Sequence, residues 1–165
     1  MVFLMSRPHH STAPEYAQHL TWTTRGREPV FLNSQAAEIC VAALEEEREF
    51  LGLDVYGYVL MPDHIHLVVW SDADLPGRIV QGMKISSAFA IRDAGILPRS
   101  PWARGYWDRA IRTTADLVSA LNYVHANPVK AGIAKELCDY KFSSFGVYHE
   151  TGSSVLQITR PSLIT

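Results

Sequence analysis

The spacing of apolar positions changes along this chain, and each change marks an element. Residues 16–24, YAQHLTWTT, carry the β-branched and aromatic content of a strand. With Asn33 or Ser34 as its cap, a helix is predicted to about Leu51, its apolar stripe formed by Ile39, Cys40, Ala43, Leu44, Phe50 and Leu51. Residues 54–61 and 64–70 predict two strands joined at Met61-Pro62-Asp63, a tight connection of the hairpin kind. Asp74 caps, and Pro76 enters, a second helix to about Asp93. Beyond a loop broken by Gly and Pro, residues 106–112 predict a further strand, and Thr113-x-x-Asp116 opens a third helix. Pro128 sets the expected end of that helix near Asn127.

The order βαββαβα predicts an α+β fold: a ferredoxin-like split βαβ antiparallel sheet with helices on one face, plus a C-terminal helix that bears Tyr123. Residues 15–149 read as a single domain. Residues 1–14 and 150–165, rich in Ser, Thr, Pro and His, read as a flexible N-terminal arm and a flexible C-terminal tail. At 165 residues and 47% hydrophobic, the chain is long and apolar enough for one packed core, which excludes a disordered or low-complexity protein. It has no uninterrupted apolar run of about 18 residues and no signal-peptide layout at its start, so the expected compartment is the cytoplasm, with no membrane partner. Cys40 and Cys138 have no CxxC spacing, which supports neither a disulfide framework nor a thiolate zinc site.

A net charge of −2 argues, by itself, against a nucleic-acid partner. Its distribution argues the other way. Residues 78–112 hold seven cations (Arg78, Lys84, Arg92, Arg99, Arg104, Arg109 and Arg112) against Asp93 and Asp108, while residues 36–54 hold six acids against Arg48. Trp102, Tyr106 and Trp107 are interleaved with the arginines, a combination that suits unpaired bases. The candidate DNA-binding set is Lys84, Arg99, Trp102, Arg104, Tyr106, Arg109 and Arg112. The plainer alternative pairs these arginines with the acidic helix.

The chemistry-bearing residues lie elsewhere. In the strand HIHLVVW, alternation puts His64 and His66 on one face and Ile65 in the core, giving a two-point metal clamp on a rigid support. The plainer reading is a pair of half-exposed histidines bonded to neighbours. Two histidines cannot close a metal site, so a third polar ligand has to come from another element. On the third helix Leu117, Leu121 and Val124 form the buried stripe, and Tyr123 and Asn127, four apart, share its border. Tyr123 is either a boundary core residue or a nucleophile toward a metal-polarised phosphate, and Asn127 has a carbonyl oxygen to offer that metal. Tyr106 is a weaker competing nucleophile, His19 lies on a strand able to neighbour the site, and His125, on the far side of the helix from Tyr123, suits packing.

Three ordered motifs carry a family resemblance: Met61-Pro62-Asp63-His64-Ile65-His66-Leu67; Trp102-x-x-Gly105-Tyr106-Trp107-Asp108-Arg109-x-Ile111-Arg112; and Tyr123-Val124-His125-Ala126-Asn127-Pro128-Val129-Lys130-Ala131-Gly132. Together with residues 19–31 and 142–145 they make residues 16–146 resemble the IS200-like single-tyrosine HUH transposases, in particular the REP-associated tyrosine transposases. The resemblance implies nicking and rejoining of single-stranded or hairpin DNA through a 5′-phosphotyrosine. It implies Tyr123 as nucleophile, His64 and His66 as ligands of Mg²⁺ or Mn²⁺, and Asn127 in the place where relatives often carry Gln. Relatives occur as monomers and as homodimers. Two other functions remain open from the sequence: a hairpin-DNA-binding module without cleavage, and a 2H-type phosphoesterase, for which His19-Leu20-Thr21 supplies one of the two required motifs.

Overall fold

The structure is a computed structural model that describes residues 17–71 and 76–161; the predicted N-terminal arm and the Asp74 cap lie outside the described residues. Four strands, β1 (Ala17–Thr23), β2 (Asp54–Leu60), β3 (His64–Trp70) and β4 (Trp107–Ile111), alternate with helices α1 (Ser34–Leu51), α2 (Pro76–Asp93) and α3 (Thr114–Lys130), and a short α4 (Phe145–Tyr148) follows. The sheet order is β2-β3-β1-β4 and every neighbour is antiparallel. Each helical crossover therefore skips a strand, as the ferredoxin-like reading requires.

The local signals act as expected. The Asn33 side chain accepts the Ala36 N–H at 3.1 Å, and that of Thr113 accepts the Asp116 N–H at 3.0 Å, each supplying an orphan donor of a first turn with a partner. Strand alternation then divides two cores. Leu20, Trp22, Ile65 and Leu67 pack against α1 and α2 on one face. On the other, Ala17, Val59, Val68 and Ile111 pack against Leu117, Leu121 and Val124 of α3. Gly57 marks how close α3 comes, since a Cβ there would meet Leu121 Cδ2 at 2.5 Å. No described helix is long and apolar enough to cross a membrane.

Three expectations differ from the structure. Phe50 is 79% exposed rather than in the α1 stripe. The buried residues Ala36, Ala37, Cys40, Val41, Ala43 and Leu44 centre on another face, and Phe50 stands roughly 100° around the wheel from it. Helix α3 continues through Pro128 to Lys130. The proline removes the N–H that would reach the Val124 carbonyl, and the Asn127 side-chain amide turns back to this stretch instead, donating to the carbonyls of Tyr123 at 2.8 Å and Val124 at 3.5 Å. Finally, residues 150–161 lie along the domain. Leu156 is fully buried, the Gln157 N–H reaches Glu45 at 2.8 Å, and the Thr159 N–H reaches the Val55 carbonyl at 2.7 Å.

His125 is a packing residue, as its place on the helix wheel indicated. It is buried, its Nε2 is hydrogen-bonded with Ser144 Oγ at 2.7 Å, and its ring lies beside Phe145 and Tyr148. Burial, with the neighbouring His149 adding to it, holds its pKa down at about 4. The unfolded chain takes up this proton near pH 6.5 and the folded chain does not until about pH 4. The stability it contributes is therefore complete above pH 6.5 and lost as pH falls toward 4, to a total of about 3 kcal/mol. Thermal melts across that window should show His125→Gln losing less stability on acidification than the parent; an undiminished loss would assign it to other groups.

Candidate active site

The site forms where β1 and β3 meet α3. His64 and His66 leave β3 on the α3 face, opposite Thr23 and Thr21 of β1 in the ladder. Their rings are perpendicular, with centroids 4.9 Å apart. Each has its Nδ1 engaged. His64 Nδ1 donates to the Asp63 carboxylate at 2.6 Å, and Asp63 is also ion-paired to Arg27 at 3.4 Å. Arg27 itself is held at φ +58°, a left-handed conformation unusual for a residue with a side chain. His66 Nδ1 lies 2.8 Å from Thr21 Oγ1 and 3.0 Å from His19 Nε2. In the tautomer protonated on Nδ1, His66 would donate to that pair and keep an Nε2 lone pair, the arrangement in which imidazole serves as a ligand.

The surroundings of His66 disfavour its charged form. Burial above all, then the nearby His19, His64 and Arg27, pushes the His66 pKa down to about 3, and the Asn127 side chain is the one neighbour that raises it. His19 is also lowered, first by burial and then by Arg109.

Helix α3 delivers the other two residues. The Tyr123 ring lies 5.5 Å from that of His66 and 5.8 Å from that of His19, edge-on to both, with Lys130 Nζ 5.3 Å from its centroid. It is 48% exposed, so its hydroxyl is within reach of a substrate. Asn127 spends its Nδ2 on the helix carbonyls, which leaves the amide oxygen as the end that supports the His66 ring. His64, His66, Tyr123 and Asn127 all line one open cleft of about 510 Å³, together with His19, Thr21, Thr23, Arg27, Trp107, Asp108 and Arg109. Four residues from two elements of the same chain are thus brought together as the sequence reading placed them. His19, Asp63 and Arg27 complete the surroundings. Alternation along β1 was the signal for His19; nothing in the sequence marked the Asp63–Arg27 pair.

The basic segment divides. Trp102 is corrected from a base platform to a core residue: it is 4% exposed, packs against Trp22 and Phe31, and donates its indole N–H to Ser87 Oγ at 2.9 Å. Lys84 donates to the carbonyls of Ala103 at 2.8 Å and Gly105 at 2.6 Å, so its ammonium fastens the loop before β4. Arg99, Arg104, Tyr106, Arg109 and Arg112 are exposed, and of these Arg109 reaches the cleft. The acidic helix does not pair with them. Among the described residues its ion pairs are Glu45 and Glu49 with Arg48, and Glu38 with Lys141.

A family model described as "Transposase IS200 like" matches residues 12–127. A REP-associated tyrosine transposase of Escherichia coli (strain K12) is 28% identical over 138 residues, which cover 79% of each chain. Among solved structures, that of a REP-associated tyrosine transposase bound to a REP hairpin superimposes with a TM-score of 0.71 over 96% of this chain and 94% of that one, at 22% identity. At that identity the superposition establishes a shared fold.

Proposed function

The chain belongs to the IS200-like transposase family, and we propose that it nicks and rejoins single-stranded DNA at REP-like hairpins through a tyrosine-linked intermediate. The observation that carries this reading is the convergence of Tyr123 and Asn127 from α3 upon His64 and His66 from β3 in one cleft. A nucleophile set beside two imidazoles and an amide oxygen suits a phosphodiester better than it suits a passive DNA grip.

The residues present fit a divalent cation. Both imidazoles have Nδ1 engaged and are oriented to offer Nε2, and the amide oxygen of Asn127 supplies a hard donor. Among the described residues no three His, Cys, Asp or Glu side chains gather as ligands, so the third protein donor falls to Asn127. That mixed nitrogen and oxygen set suits Mg²⁺ or Mn²⁺ completed by water and phosphate oxygen. Held there, such an ion would withdraw charge from a non-bridging oxygen of the scissile phosphate.

The chain's own residues do the rest. Tyr123 Oη attacks phosphorus, forming the P–O bond of a 5′-phosphotyrosine as the bond to the 3′ oxygen breaks. The phenol proton is given up, and the departing 3′ oxygen takes one. The reverse attack by a 3′-hydroxyl from a second end restores the diester and frees Tyr123. Arg109 in the cleft and Arg99, Arg104 and Arg112 on the exposed surface offer guanidinium groups to the backbone on either side. Tyr123 lies against the His66 of its own chain, which supports attack beside that histidine.

The deciding experiment incubates the protein with labelled single-stranded hairpin DNA and Mn²⁺ and looks for a denaturant-resistant adduct. Adduct formation is expected; cleavage of a cyclic phosphodiester in EDTA with no adduct would favour the 2H reading instead. Asp63 gives a second test. It fixes the His64 tautomer, so Asp63→Ala should weaken Mn²⁺ binding about 10- to 100-fold by calorimetry, with Asp63→Asn between the two. Unchanged affinity in Asp63→Ala would detach this carboxylate from the site.

A further inference from the structure

We infer that Trp107 is the stacking platform for an unpaired base next to the scissile phosphate, an assignment that rests on the proposed single-stranded DNA chemistry and deepens it. The ladder registers carry the inference. Thr21 is opposite His66 on one side and opposite Trp107 on the other, so His66, Thr21 and Trp107 form one row across β3, β1 and β4. Directly opposite residues share a face of the sheet, so the indole rises on the same side as the imidazoles. Two interstrand spacings separate them, about 10 Å in all. That distance leaves room for a phosphate at the histidines and the base of an adjoining nucleotide over the indole.

The surroundings agree. Trp107 is 65% exposed and lines the cleft with Tyr123. An indole left in water at a sheet position is unusual, because burying such a ring is among the largest apolar gains available to a fold. The fold has the means to bury tryptophan, as Trp22 and Trp102 are both in the core. Arg109, next on the same face of β4, stands opposite His19 and also lines the cleft, which puts a guanidinium group where the backbone of the stacked nucleotide would run. A flat π surface, a neighbouring cation and no base-reading amide or carboxylate on that row match recognition by stacking, which tolerates any base.

The test uses the whole protein and a mixed-sequence single-stranded oligodeoxynucleotide without added metal. The chain has four tryptophans, of which Trp22 and Trp102 are buried and Trp70 is half-buried, so Trp107 dominates the fluorescence that acrylamide can quench. DNA is expected to shield that component in the wild type. Trp107→Ala should lack it and bind the single strand about 5- to 150-fold more weakly. Its salt dependence should be unchanged, because stacking releases no counterions. Trp107→Phe should keep most of the affinity and report that the position tolerates substitution. Wild-type affinity in Trp107→Ala, unchanged acrylamide access on DNA binding, or an equal loss of affinity for fully duplex DNA would each overturn the platform. If covalent capture of hairpin DNA persists in those cases, the failure belongs to the platform alone; if the wild type binds no single strand at all, the functional reading falls with it.

Discussion

Tyr123→Phe is expected to abolish covalent capture of DNA while leaving a folded, DNA-binding protein. The substitution removes one oxygen from a half-exposed ring whose contacts with His19, His66 and Lys130 run through its face and edge. Stability should therefore stay within about 0.5 kcal/mol, the range of surface changes that touch no special feature. Activity should fall by about four orders of magnitude or more, as when a covalent nucleophile is deleted from another enzyme. Denaturing electrophoresis of labelled hairpin DNA measures the first effect and a thermal melt the second. A persistent adduct in the Phe variant would falsify the assignment of Tyr123 and turn attention to Tyr106, which is exposed but absent from the cleft lining.

The second large effect concerns the paired histidines. His64→Ala and His66→Ala should each remove nicking, and EDTA should reproduce the loss in the wild type, since one imidazole and one amide cannot hold a hard divalent ion against water. The two variants should differ in stability. His64 is partly exposed and its removal costs little, whereas His66 is 6% exposed and its removal leaves Thr21 and His19 facing a void, at about 1–3 kcal/mol. Asn127→Ala should cut activity less than either, and added Mn²⁺ should recover part of it. Undiminished nicking in EDTA would remove the cation from the mechanism.

Much of the site was legible because it depends on local periodicity. Alternation in HIHLVVW is enough to set His64 and His66 on one face, and the i, i+4 spacing of Tyr123 and Asn127 is enough to pair them on a helix. The fold was legible for the same reason, with Asn33 and Thr113 capping the helices they precede. What escaped depends on partners distant in sequence. Trp102 reads as a DNA contact among arginines until Ser87 is seen to take its indole N–H, and Lys84 reads as a free cation until two loop carbonyls are found around its ammonium. Pro128 reads as a stop because the rule concerns hydrogen bonds along the backbone, and here a side chain three residues from Val124 approaches the orphaned carbonyl. Leu156 lies in a Ser- and Thr-rich stretch whose composition hides a buried anchor.

The course of residues 142–159 has a consequence for how the protein behaves in a crowded solution. Strand β2 stands at one margin of the sheet, where unpaired amides and carbonyls invite another chain to add a strand. Here the protein's own backbone takes those positions: Leu60 N–H bonds to Phe142, Ser144 N–H to Tyr58, and Thr159 N–H to Val55. A chain shortened before Leu156 would lose the last of these seals together with a core side chain, and should become prone to aggregation through β2 well before its catalytic cleft is disturbed. An affinity tag or fusion partner that pulls on this segment invites the same fault, so the C-terminal extension acts as a built-in guard against edge-to-edge polymerisation.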